Sequence, residues 1–157
     1  MSRALSSAVL VLALAASSAA CGGSGGNSSG DTMTSKPSLT KQQFAAKVTQ
    51  ICANGKKKIA KIGFALGSMG SAANSGQAVA DIEREMVAKF ETLQPPDEIK
   101  SQADDFISKA DTARAKLEQL VHAAKNLQAE NVEQMTPEVA SARREVHAAA
   151  KSLGATC

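Results

Sequence analysis

The sequence predicts an all-α protein, an antiparallel four-helix bundle that follows a cleaved signal peptide and a disordered tether. Three observations carry this expectation. The chain of 157 residues is rich in alanine and has four Phe but no Trp or Tyr, a composition that favours closely packed helices over a sheet. From Thr40 onward, apolar residues recur in steps of three and four, which is the period of one helix face. Gly, Ser and Pro clusters break that pattern into four runs, and such clusters punctuate helices. The expected segments are a leader at 1–20, a Gly/Ser-rich tether at 21–39 and a helical domain at 40–157.

The first helix opens on Thr40-Lys-Gln-Gln43, a capping box in which Gln43 reaches back to the Thr40 backbone. Phe44, Val48, Ile51, Gly55, Ile59, Ile62 and Leu66 then mark one face of a helix from Lys41 to Leu66. Gly55 interrupts this stripe and marks a kink or a close crossing. The run Gly67–Gly76 reads as a loop on composition. A second helix is expected from Gln77 to Leu93, with Val79, Ile82, Met86 and Phe90 facing inward. Pro95-Pro96 stops it, and Pro96 can open the third helix.

The third helix has the most regular period, through Ile99, Ala103, Phe106, Ala110, Ala113, Leu117, Leu120, Ala124 and Leu127, as in a bundle seam. Asn126 to Gln134 loses the pattern and reads as a connection. Thr136-Pro137-Glu138 then reads as the start of the fourth helix, with Thr136 as its N-cap. Gly154 suits the position just past that helix's end. With so much alanine in the seams, the expected bundle is solid and close-packed.

The first forty residues concern location. Arg3 precedes the apolar run Ala8–Ala16, which is too short to span a bilayer and suits a signal peptide. Ser18-Ala19-Ala20-Cys21 follows. It reads as a lipobox whose Cys21 carries a lipid such as palmitate after cleavage, with Ser18 in place of the usual leucine. The alternative is ordinary secretory cleavage that leaves Cys21 as an unpaired thiol. Gly22 to Lys36 has no apolar periodicity and suits a flexible tether. The net charge of +3 falls by one when Arg3 leaves with the leader. So weak a balance points to no nucleic-acid partner.

Setting Cys21 aside leaves Cys52 and Cys157. Two cysteines in an exported chain read as one disulfide. It would close a loop of 105 residues, worth ~4–5 kcal/mol in the chain-entropy model. A redox or metal thiol is the alternative, but neither cysteine has a CxxC partner or a nearby histidine at ligand spacing.

The lipobox, the Gly/Ser tether, Ile51-Cys52 in the first helix, the Leu93-Gln-Pro-Pro96 turn and the terminal Leu-Gly-Ala-Thr-Cys together resemble the small helical lipoproteins of actinobacteria. The resemblance implies a helical fold, an extracytoplasmic location and a disulfide, and no activity.

His122 and His147 are the only histidines. If the third and fourth helices place them together they form a weak candidate site for a metal or haem; otherwise they are flank residues. Lys56-Lys57-Lys58 with Lys61 could attract anionic head groups, or simply form a solvated face. Asp104, Asp105 and Asp111 read as a solvated face of the third helix. The sequence carries no nucleophile motif, phosphate-cradling loop, zinc signature or cofactor motif. The expectation is a non-enzymatic binding or structural module of the cell envelope. It would be held to the membrane through Cys21, with an envelope protein or small ligand as partner. A carrier of an apolar ligand or haem is the alternative.

Overall fold

The computed structural model describes residues 38–157. The leader at 1–20, the lipobox with Cys21 and all but the last two residues of the tether lie outside the described residues. Four helices follow: α1 (Lys41–Ile62), α2 (Met69–Glu91), α3 (Lys100–Lys125) and α4 (Ala129–Ser152). Successive helices pack side by side, and the contact of α3 with its two neighbours is the most extensive. Short connections make each neighbour antiparallel.

Local chemistry sets the ends. The Thr40–Gln43 capping box is formed in both directions, at 2.9 and 3.2 Å. α1 stops at Ile62, four residues before its expected end, because Gly63 takes the left-handed conformation. Gly154 does the same after α4, as the sequence predicts.

Two expected loops are helical instead. The Gly and Ser content of Gly67–Gly76 predicts a loop, yet α2 begins at Met69 with Ser68 as its cap. Ala72, Gly76 and Ala80 repeat every four residues on its buried face, and small residues at that spacing let two helices approach. A Cβ on Gly76 would lie 2.5 Å from a Val121 methyl of α3. α4 likewise begins at Ala129, well before Thr136. Thr136 is no N-cap: its hydroxyl donates to the Val132 carbonyl at 2.7 Å. Buried Val132 and Val139 keep the helical stripe running through the proline. Pro137 removes one backbone donor, but it and Glu133 lie on the exposed face.

The second helix ends at Glu91 with Thr92 as its cap. Pro96 leads into a short 3-10 turn, Asp97–Ile99, ahead of α3. The α3–α4 connection is reduced to Asn126–Gln128, where Leu127 is 79% exposed with φ 55°.

The core forms two clusters along the bundle. One gathers Phe44, Val48, Cys52, Phe90, Phe106, Ala150 and Leu153, with the Phe90 and Phe106 rings edge-to-face at 4.9 Å. The other gathers Val79, Leu117, Leu120, Val121, Val132 and Val139. Ala113 and Ala142 lie between them, buried but in neither.

At Gly55, a Cβ would meet the Met86 sulfur at 2.0 Å, so this glycine marks a close crossing of α1 and α2. The two close-approach glycines predict different responses to alanine. Gly76→Ala presses on a β-branched valine that cannot swing away, and should lower stability by about 1–2 kcal/mol. Gly55→Ala meets the end of a flexible methionine and gains helix propensity, so its change should stay within about 1 kcal/mol. Denaturant unfolding of both variants checks the ordering.

Candidate functional site

The bundle is not solid. α1 and α4 do not pack along their length, and a cleft of about 220 Å³ lies where the expected close packing fails. It sits at the level of Ala113, between the two core clusters. Small residues on α3, Ala110 and Ala113, leave its floor low. Ile59 of α1, Met86, Val87 and Phe90 of α2, and Val146 of α4 make its walls.

Cys52 and Cys157 border one end of the cleft. They stand at disulfide-bonding distance, with Cα atoms 5.0 Å apart. Around them the tail is fastened to α1: the Thr156 N–H donates to the Thr49 hydroxyl at 3.0 Å, and the Lys56 ammonium donates to the Cys157 carbonyl.

The cleft's polar side chains are Lys56, Glu83, Arg143 and His147. Glu83 of α2 and Arg143 of α4 form an ion pair of 2.6 Å across the waist. Their side chains are 16% and 28% exposed. The Arg143 guanidinium also lies over the Phe64 ring, 5.9 Å from its centroid. Glu83 Oε1 takes the Arg143 hydrogen bond, while Oε2 is buried with no partner among the described residues. Burial pushes the Glu83 carboxyl above the usual carboxylate range, and the attraction of Arg143 only partly offsets it.

Sequence reasoning passed over this pair. The inner face of α2 was read through Ile82 and Met86, but both are half-buried, whereas Val79, Val87 and Phe90 are buried. Glu83 falls between Val79 and Val87 at steps of four. A charged residue inside a three-four seam was the available signal. Arg143, beside buried Ala142 on α4, gave the same signal.

The histidines are not brought together. An antiparallel turn at Leu127 sets His122 opposite the first turns of α4, about 20 Å along the axis from His147 at 1.5 Å of rise per residue. His122 is exposed beside Asn126, and only His147 reaches the cleft. Among the described residues, no group of three or more His, Cys, Asp or Glu could hold a metal.

The basic run on α1 is divided in its contacts. Lys56 holds the tail and Lys58 pairs with Glu85 at 2.6 Å, and these two, like Lys57 and Lys61, are exposed. The α3 aspartates form the solvated face the sequence predicts: Asp104, Asp105 and Asp111 pair with Lys100, Lys109 and Arg114 on their own helix.

Glu83 and Glu85, two residues apart, should titrate in opposite directions from their ordinary value of 4.5. Hydrogen bonds from Lys58 and Lys89 hold Glu85 down at about 2. Its contribution to stability is therefore present above 4.5 and lost as pH falls through about 2. Glu83 runs the other way. Its contribution is full below 4.5 and is lost as pH rises through its higher folded value. Carbon NMR of the side-chain carboxyls should give one resonance titrating above the ordinary range, absent in Glu83→Gln. A Glu83 resonance at or below the ordinary value contradicts this account of its burial.

No protein-family model, curated protein or solved structure matches this chain.

Proposed function

We propose that this chain is an exported, lipid-anchored binding module whose ligand is a small apolar molecule held in the cleft between α1 and α4. The cleft is the observation that carries the reading: a largely apolar concavity in a bundle that could have closed. An apolar cavity of ~150 Å³ accepts benzene or xenon, so about 220 Å³ suits a molecule of roughly nine heavy atoms on the same scale. Haem is several times larger, and a single histidine at the cleft supports axial ligation poorly.

The reading is of a binding module rather than an enzyme. The buried carboxylate at the cleft is engaged by Arg143 rather than poised beside a nucleophile.

Location rests on the sequence. Among the described residues, no helix is long and apolar enough to cross a membrane, and the proposed attachment is a lipid on Cys21, with the cysteine pair formed after export as a disulfide. Envelope partners would then meet the module at the membrane surface. The resemblance to small actinobacterial lipoproteins supports the same placement.

Two measurements test the proposal. Mass spectrometry of the mature protein should find a diacylglyceryl-modified Cys21 at its N-terminus, and an unmodified thiol there would contradict the anchor. Methyl NMR during titration with cyclohexane should shift Ile59, Val87 and Val146 saturably, while Ala113→Phe, which fills the cleft floor, should abolish the shifts and keep the fold.

A further inference from the structure

The class of the ligand, granted the reading of the cleft as a ligand site, follows from which polar atoms of its lining remain open. We infer that the occupant is a small organic carboxylate, its hydrocarbon body along the apolar walls and its head group on Arg143 and His147 of α4.

The walls set the body. Ile59, Met86, Val87 and Val146 offer contact without hydrogen bonds, so most of the ligand is hydrocarbon. The enclosed volume limits it to roughly nine heavy atoms.

Unspent hydrogen-bonding capacity selects the head group. Glu83 is closed to an occupant: Oε1 takes the Arg143 bond, and Oε2 is fully buried. Arg143 is different. Its Nη2 donates to Glu83 and its face lies over Phe64, while Nε and Nη1 have no partner among the described residues. Among the buried and half-buried residues described, Glu83 Oε2 is the one side-chain nitrogen or oxygen that is both buried and unpartnered. Both free Arg143 nitrogens therefore reach accessible surface, on a side chain that lines the cleft. His147 lines the same cleft, exposed and without a hydrogen-bond partner among the described residues. Residues four apart share a helix face, so α4 brings a guanidinium and an imidazole to the cleft together.

Either sign of charge meets both attraction and repulsion here, and the open donors decide between them. A cationic head is drawn to Glu83 but reaches it only by displacing Arg143, with Lys56 opposing it and already holding the Cys157 carbonyl. An anionic head is repelled by Glu83, whose charge Arg143 offsets at 2.6 Å, and it breaks no existing bond. It takes the free nitrogens of Arg143, where a planar carboxylate matches the guanidinium fork. A doubly charged head would leave its second charge opposed by Glu83 with no further free cation, since Lys56 is engaged.

The test compares heptanoate with heptanamide and octylamine, which have the same number of heavy atoms, and with heptyl phosphate. Binding to the oxidised protein is followed by methyl NMR of Ile59, Val87 and Val146 near neutral pH, where heptanoate is ionised. Heptanoate should bind at least about tenfold more tightly than the other three, and its binding should move the Arg143 Nε–H resonance. Glu83→Leu combined with Arg143→Met replaces the pair with apolar side chains of similar size, a change that often preserves stability. In that double variant the preference for heptanoate over heptanamide should fall to within about twofold.

Equal or tighter binding of heptanamide, octylamine or heptyl phosphate overturns the carboxylate class, while saturable cyclohexane binding still supports the cleft as a ligand site. An unmoved Arg143 resonance, or a preference that survives in the double variant, overturns the role of Arg143. Failure of cyclohexane and all four compounds to bind removes the underlying reading of the cleft. The unmodified protein decides the class and the Arg143 contact even if the double variant does not fold.

Discussion

The attachment of α1 to the rest of the bundle governs the features that matter here. α2, α3 and α4 pack as a close-fitting unit, helped by Ala72, Gly76 and Ala80 where α2 meets α3. α1 makes its most extensive contact with α2, through the crossing at Gly55 and Met86 and the Lys58–Glu85 pair. Its other edge is held at one end, where Phe44, Val48 and Cys52 share a buried cluster with Phe106, Ala150 and Leu153 and the tail bends back to Cys52, while the Leu39–Gln94 backbone bond of 2.9 Å ties its start to the segment after α2. A bridge that closes so long a loop is worth ~4–5 kcal/mol, a large share of the stability of a small domain. Held there and not along α4, α1 leaves a cleft.

The position of that cleft has an energetic reason. The two core clusters are separated by a waist in which α3 presents alanine and α2 presents Glu83. A leucine in place of Ala113 would close the gap, and an apolar residue in place of Glu83 would join the clusters. The chain instead holds a desolvated carboxylate against Arg143, one oxygen satisfied and the other not. Such an arrangement adds little to stability. It does add charged side chains to the lining of a mostly apolar cleft, and an apolar pocket with a few polar groups is the usual composition of a small-ligand site.

How far the sequence could be read depended on which physical signal each element carried. The four helices, the Thr40 capping box and the Gly154 stop were legible because periodicity and capping are local. Met69 to Gly76 and Ala129 to Gln134 are helical against expectation for different reasons. Gly and Ser suggest a loop in the first, whereas Gly76 serves a close helix contact; the second shows too few apolar residues to carry a period, and Thr136-Pro137 resembles a helix start although Pro137 faces solvent within α4. The cysteine pair was legible from counting. The cleft was not, because alanine in a seam is compatible with either close approach or a gap, and only the third dimension decides between Ala72 and Ala113. Glu83 left a trace in its three-four spacing from Val79 and Val87, masked by the choice of the neighbouring Ile82 stripe.

The central claim is that the waist cavity is a persistent feature of the oxidised protein and not a gap that side chains fill. Xenon occupies apolar cavities of this size without needing a polar contact. Crystals of the mature, oxidised protein under xenon pressure measure its persistence most directly. The account predicts a xenon site enclosed by Ile59, Val87, Ala113 and Val146. Contrary evidence would be a crystal in which α1 has closed onto α4, with Met86 and Val146 filling the waist and no xenon bound there.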